Sequence, residues 1–404
     1  MAIICWGNLA KSGDDTTRVE QSIHHYVQTH DENPNAHMGE DYALGVHRLQ
    51  AVIDHAPYSI FNANVYPQVR SYKAIVDPAG NGDIKTIQGA IDYVNGLGGG
   101  QILIKAGIYT LSESLTLYDN IKLRGESRKN TILDFDNNAK RIQATGKADI
   151  LISELTVKNS DVTDDLGAIY FNNCDDSQVD RCSFVDNNGG GSYDIDICFY
   201  ECTRCDATNN ETSGSGGLAR VYQGTKCTIT ENYVGSATKD AILLQSGTAN
   251  RASKNFIAGS DRNGIVMDAG QKSFINENRI EDWGNGAGIS IGNAELCAFC
   301  VINSNSISGG TSGGPAILLH AKDNQKIVIS GNYAYTDTGD AIEINSGSER
   351  TTVVGNMVWT EVAGKYGVNI KSGAVRTLVV GNSSYGPSGD VLDNGTDSVV
   401  ASNV

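Results

Sequence analysis

Residues 227–280 read CTITENYVGSATKDAILLQSGTANRASKNFIAGSDRNGIVMDAGQKSFINENRI. One short unit recurs in it three times: ENYV at 231–234, KNFI at 254–257 and ENRI at 277–280. Their asparagines are Asn232, Asn255 and Asn278, and the series continues through Asn305, Asn332, Asn356 and Asn382. The spacings are 23, 23, 27, 27, 24 and 26 residues. Asn210 and Asn187 extend the series upstream at 22 and 23, and Asn403 extends it downstream at 21. A repeat of this length is one supersecondary unit that buries its apolar face only by stacking on its neighbours.

The residues around each Asn keep register. Three positions before it stand Ile229, Ala252, Ile275, Ile302, Ile329, Val353 and Val379. Two positions after it stand Val234, Ile257, Ile280, Ile307, Ala334, Val358 and Ser384. About ten residues further on comes another strand, with alternating pairs Ile242/Leu244, Ile265/Met267, Ile289/Ile291, Ile317/Leu319, Ile342/Ile344 and Val368/Ile370. Strands this short, with period-two alternation at this spacing, stack on their own copies about 4.8 Å away. The fold expected is an all-β, right-handed parallel β-helix over 71–404. The Asn column predicts a side-chain amide ladder, with Asn also suited to left-handed backbone at the turn.

Two CxxC pairs, Cys202/Cys205 and Cys297/Cys300, fit either a zinc site or inward stacking. Five positions before the Asn lie Cys182, Cys205, Cys227, Ser273 and Cys300, a column of small residues that favours stacking. Residues Asp83 to Asn95 read as an amphipathic helix, with Ile87, Ala90, Ile91 and Val94 on one face. It ends at a glycine cluster and suits the role of cap on the open end of the solenoid.

Net charge is −16 over the chain, so clustered phosphate contacts are not expected and nucleic acid is excluded as a partner. No stretch reaches the ~18 apolar residues of a membrane span, and no membrane partner is expected. The opening MAIICWGNLAKSGDD lacks a basic segment and a long apolar run, so no signal peptide is expected. Six of the seven His lie at 24, 25, 30, 37, 47 and 55. Their spacings match no standard ligand set, so no metal is assigned, and no cofactor motif is present. Residues 1–70, with a helix over Asp41 to Asp54 and few large apolar groups, are expected to be an attachment or oligomerisation segment.

The stretch VDPAGNGDIKTIQGAIDYVNGLGGGQILIKAGIYTLSESLTLYDNIKLRGES resembles the opening of pectate-lyase-like β-helix proteins, and as a pattern the resemblance covers Ala74 to Val404. It implies the fold and leaves the chemistry open, because that family holds lyases, hydrolases, epimerases and binders. Asn33 to Ile60 is similar to segments of bacteriophage and prophage tail proteins, through Asn33, Pro34, Ala36, His37, His47, Ile53, Asp54, His55 and Ser59. Together the two resemblances imply a phage tailspike or tail-fibre protein. Such a protein is usually a homotrimer on the virion tail, joined to a tail or baseplate protein through its N-terminal segment, and its β-helix binds and often cleaves a host surface polysaccharide.

A packed solenoid has no interior cavity, so function falls on outward side chains. Three positions after the ladder Asn, Tyr335, Trp359 and Tyr385 form a run of aromatics for sugar faces. Two positions beyond Tyr335 and Trp359 lie Asp337 and Glu361, on adjacent rungs about 5 Å apart. Paired carboxylates at that distance suit acid/base hydrolysis of a glycoside. Glu281, Asp282 and Trp283 lie two rungs earlier on the same side. A second outward stripe holds Arg220, Tyr222, Asp268, His320, Glu343 and Lys371. In it His320 and Glu343 form either an acid/base pair or a surface hydrogen bond, and the cations suit an acidic sugar. Three readings stay open at this point: a polysaccharide depolymerase, by hydrolysis or elimination; a glycan-binding adhesin; and a structural tail component.

Overall fold

A computed structural model describes residues 72–310, 312, 314–320 and 323–404. The 1–70 segment, with its histidines and its expected helix, lies outside the described residues. From Ala74 to Val404 the chain is one compact unit. It winds as a right-handed parallel β-helix whose strands form three long sheets, one per face. The first sheet has fourteen strands, from Ala74–Val76 to Val399–Ala401. The second has twelve, from Gly107–Thr110 to Ser383–Tyr385. The third has twelve, from Leu115–Thr116 to Val391–Asp393.

Each strand pairs in parallel with its copy one turn away. Ile229 faces Ala252, Val234 faces Ile257, and Ile242 faces Ile265. The apolar columns read from the sequence are therefore the three inner walls, and their members are fully buried. Most strands are three to five residues long, because a solenoid of this bore must turn three corners per rung.

The N-terminal end is closed by the helix Ile87–Gly96, whose Ile87, Ala90, Ile91 and Val94 are buried on the first rung. It starts four residues later than the apolar pattern suggests. The side chain of Thr86 accepts from Gly89 N at 3.1 Å, which makes Thr86 the N-cap and leaves Asp83–Lys85 outside the helix.

The corner between the first and second sheets carries the ladder. From Asn210 to Asn403, each Nδ2 donates to the next Asn Oδ1 at 2.9–3.1 Å. Each ladder backbone N–H donates to the same oxygen, so one carbonyl satisfies two donors of the neighbouring rung. The left-handed residue is not the Asn itself but the one before it. Glu154, Arg181, Asn209, Glu231, Lys254, Glu277, Ser304 and Ser402 have φ between 50° and 58°, and Gly331, Gly355 and Gly381 have φ between 61° and 64°. That residue turns the chain, and the Asn then points inward to bond along the stack.

Asn187 does not belong to the ladder. The rung there spans 28 residues, and Cys182 holds the ladder position, donating its N–H to Asn210 Oδ1 at 2.9 Å. A long excursion over 186–194 shifts Asn187 to the opposite corner, where it donates to Asp196 at 2.9 Å. The eight cysteines among the described residues are free and buried. Six of their thiols donate to carbonyls of the adjoining rung, as Cys202 does to Phe171 at 3.3 Å and Cys300 does to Gly270 at 3.2 Å. Both members of each CxxC point inward, because the corner residue between them is left-handed: Arg204 in one pair, Phe299 in the other.

Candidate functional site

The second sheet presents two outward columns near its C-terminal end. Tyr335, Trp359 and Tyr385 stack in register on successive rungs. The Trp359 and Tyr385 rings lie 4.6 Å apart, tilted by 38°. Trp359 and Tyr385 are 43% and 47% exposed, and beside them Tyr333 and Met357 are also exposed. Alternation explains the display: Ala334, Val358 and Thr360 point in, so their neighbours must point out.

Asp337 and Glu361 leave this sheet at the corner towards the third, on adjacent rungs, and both are exposed. The Tyr335 hydroxyl donates to Asp337 Oδ1. That bond, with the charges of Asp337 and Glu361, pushes the phenol up to about 12. One ring thus carries a sugar-sized apolar face and is bonded to one carboxylate, with a second carboxylate on the next rung.

Asp282 lies on the same corner two rungs before Asp337, about 10 Å away along the stack. The rung between them holds Gly309 and Gly310. A Cβ on Gly309 would come within 3.1 Å of Asp282 Cα, and one on Gly310 within 2.9 Å of the Trp283 ring. Asp282 also lines a cleft of about 340 Å³ with Asp261, Ser236, Ser260 and Asn285. Asp261 escapes a column count because it sits six residues after its Asn while Asp282 sits four after its own.

Two expectations at this corner are corrected. Trp283 is fully buried and belongs to the core, so it offers no face to a ligand. Asp282 is left-handed, with φ of 53°, and this breaks the in–out alternation after Glu281 and turns Trp283 inward. Glu281 is tied to Arg279, whose Nε donates to it at 2.6 Å.

The stripe on the third sheet is built differently. Asp268 is buried, and its Oδ1 accepts from the backbone of Ala294 and Glu295 at 2.9 and 2.8 Å. It organises a loop and presents no free edge to a ligand, which corrects the expectation of a binding role. His320 bonds Ser290 Oγ at 2.9 Å rather than Glu343, and burial lowers its pKa, with Asp268 opposing. Glu343 is 3.5 Å from Lys371, which also reaches the buried Asp340 at 3.6 Å. The proposed His320–Glu343 acid/base pair is therefore not assembled. Arg220 lies between the rings of Tyr193 and Tyr222, at 4.4 and 4.7 Å, and its Nε donates to Gln245 at 2.7 Å. Tyr222 stacks on Tyr200 at 5.1 Å. Tyr193, on the long 186–194 excursion, was not legible as a partner because no repeat precedes it in its column. Among the described residues no cluster of His, Cys, Asp and Glu is arranged to hold a metal.

These features define the molecule as a right-handed β-helix with its polar and aromatic groups displayed on the outside. The family model for "Right handed beta helix region" matches residues 195–358. No curated protein matches the chain by sequence. Solved structures share the fold. The surface adhesin PfbA of Streptococcus pneumoniae is 17% identical at a TM-score of 0.59, with 76% of this chain and 88% of that one covered. A mannuronan C-5 epimerase A-module of Azotobacter vinelandii is 16% identical at 0.54, covering 81% and 100%. The catalytic unit of an α-1,3-glucanase from Streptomyces thermodiastaticus is 16% identical at 0.56, covering 78% and 66%.

Proposed function

We propose that this protein binds a host surface polysaccharide along the C-terminal half of its second sheet and hydrolyses it there, as a depolymerase of the tailspike type. The observation that carries the reading is the in-register column of half-buried Tyr335 and exposed Trp359 and Tyr385, with Asp337 and Glu361 on adjacent rungs beside it. Rings stacked along a strand-to-strand axis offer a row of apolar faces to a chain of sugars. An adhesin, an epimerase and a glucanase have the same fold, which is compatible with the reading but does not choose among them.

Adjacent rungs are about 4.8 Å apart. That is close to the ~5–5.5 Å between carboxyl groups in retaining glycosidases. Asp337, which already accepts the Tyr335 hydroxyl, is the nucleophile in this reading. Glu361 donates its proton to the glycosidic oxygen as the bond to the leaving sugar breaks and the bond from Asp337 to the anomeric carbon forms. Water, deprotonated by Glu361, then releases the glycosyl group and restores both acids. A place on a phage tail, with a homotrimeric assembly and a tail partner for residues 1–70, is part of this proposal and rests on the sequence resemblance alone.

One observation favours a second reading, adhesion without cleavage: Asp337 and Glu361 are open to water, and one of them is occupied by a tyrosine. The test is to incubate the protein with surface polysaccharide while following reducing ends and absorbance near 235 nm. Reducing ends without absorbance, lost in Asp337→Asn and Glu361→Gln, support hydrolysis by this pair. Absorbance rising with reducing ends means elimination and sinks the assignment. Binding with neither signal makes the protein an adhesin.

A further inference from the structure

The corner between the first and second sheets is two residues long on the first rung, at Lys105–Ala106, and on the later ones, as at Glu154–Leu155, Arg181–Cys182 and Glu231–Asn232. On the second rung it is different. Five residues, Glu126–Asn130, separate Gly125 from Thr131. The segment is closed by Thr131 N donating to Ser127 O at 2.9 Å, and Thr156 Oγ1 holds the carbonyl of Arg128 at 2.6 Å. From this anchor the Arg128 side chain crosses two rungs. It reaches Glu211 at 3.4 Å and the carbonyl of Asn209 at 3.5 Å.

The overhang encloses a cleft of about 620 Å³ along the otherwise uniform corner. Its floor is Glu154 and Arg181, joined at 2.6 Å. Its far wall is Glu211, Glu231 and Tyr233. The Tyr233 ring is 41% exposed and is held edge-on by Phe256 at 5.4 Å. The cleft thus has one fixed aromatic face and a rim of alternating donors and acceptors. Each guanidinium already has a carboxylate partner, so an incoming anion would have to displace Glu154 or Glu211. Three carboxylates against two guanidiniums leave the lining net negative. Such a site suits an uncharged, polyhydroxylated ligand, whose hydroxyls both give and accept hydrogen bonds.

We propose that this cleft is a second saccharide-binding site, specific for neutral sugars, with Tyr233 as its stacking platform and Arg128 as its roof. It deepens the glycan-binding reading above and rests on it. Tyr233 and Tyr335 lie on the same sheet four rungs apart, about 19 Å. A polymer long enough to lie along that face meets the cleft and the carboxylate row together, whereas a short oligomer reaches only one of them. The cleft acts as an anchor and takes no part in bond cleavage.

The experiment titrates the full chain with neutral gluco-, galacto- and manno-oligosaccharides and with an oligouronate, by saturation-transfer NMR and calorimetry. It compares the unaltered protein with Tyr233→Ala, Arg128→Ala and Trp359→Ala, after unfolding curves confirm that each variant folds. The proposal expects a neutral oligosaccharide to bind at two independent sites. Tyr233→Ala then removes one site or weakens it about tenfold, the size of a lost aromatic platform. Trp359→Ala affects the other site alone, and the oligouronate does not reach Tyr233. On a cleaved polymer, Tyr233→Ala and Arg128→Ala raise KM and leave kcat unchanged. Binding at one site only, insensitive to Tyr233 and Arg128 but lost in Trp359→Ala, overturns this inference and spares the first. Absence of any saccharide binding overturns both, and tighter binding of the oligouronate at Tyr233 overturns the specificity.

Discussion

Two corners of the same solenoid spend their polar side chains in opposite ways. At the corner between the first and second sheets, nine asparagines from Asn210 to Asn403 bond one another and the backbone, and they are buried or nearly so. At the corner between the second and third sheets, the turns differ in length from rung to rung, and Asp261, Asp282, Asp337 and Glu361 stand in solvent. A short corner repeated without change can satisfy its donors only along the stack, so its side chains become structural. At the corner of variable length the backbone bonds carbonyls of the neighbouring rungs, as Asp282 N does Ser308 O and Asp337 N does Gly309 O, and the acidic side chains are left for a ligand. The difference teaches where to look for chemistry on this fold: where the repeat is irregular.

That contrast can be broken most sharply by activity. Asp337→Asn and Glu361→Gln are expected to lower the rate of reducing-end release by roughly 10²–10⁴-fold, the usual worth of acid/base catalysis, with the unfolding midpoint unchanged. Loss of stability in either variant would mean that the open corner is structural after all.

The interior of that corner supplies a pH test. Asp196 is fully buried, accepting from Asn187 and Thr212, and burial pushes its carboxyl up to about 7. An unfolded Asp titrates near 4. Below that pH both states hold the proton and the stabilisation is complete. Between about pH 4 and 7 the unfolded chain alone releases it, so stability falls as pH rises, by an amount of order 4 kcal/mol. In Asp196→Asn that component disappears, and the difference between the two unfolding curves against pH isolates it from carboxylates that shift the other way, such as Glu126. Parallel curves would remove Asp196 from the balance.

At the ladder corner the expectation inverts. Asn278→Ala removes bonds to Asn305, to the carbonyl of Ala252 and from Asn255, and leaves a buried N–H of Asn255 without its acceptor. The cost in denaturant unfolding should be about 3 kcal/mol, with kcat unaltered in the fraction that remains folded. The smallest effect is expected at Trp359. Its replacement by Ala should weaken polysaccharide binding by about 1 kcal/mol and leave stability within ~0.5 kcal/mol, in calorimetry and unfolding respectively. A large stability loss at this exposed ring would point to an unseen packing role.

Much of the solenoid was legible because stacking is a one-dimensional constraint. A residue that lies over its copy in the next rung must have the same character, so Ile229, Ala252 and Ile275 form a column in the sequence as they do in space. The ladder asparagines were legible for the same reason. Outward residues in mid-strand, such as Tyr335, Trp359 and Tyr385, followed from alternation alone. The corners were less legible. One left-handed residue, Asp282, reverses the alternation and buries Trp283, and a 28-residue rung carries Asn187 out of the ladder.

The sequence by itself determined the fold, its register and the identity of the inward columns, because period and polarity are set by the requirement that every rung bury its own face against the next. Only the tertiary structure decided which outward groups are free. Asp268 is consumed by the backbone of Ala294 and Glu295, Glu343 by Lys371, and Glu281 by Arg279. Asp337 accepts the Tyr335 hydroxyl beside Glu361 on the next rung, and Arg128 crosses two rungs to roof a cleft. Such pairings depend on where turns of unequal length place side-chain ends in space. That is a property of the folded corners, and no count along the chain contains it.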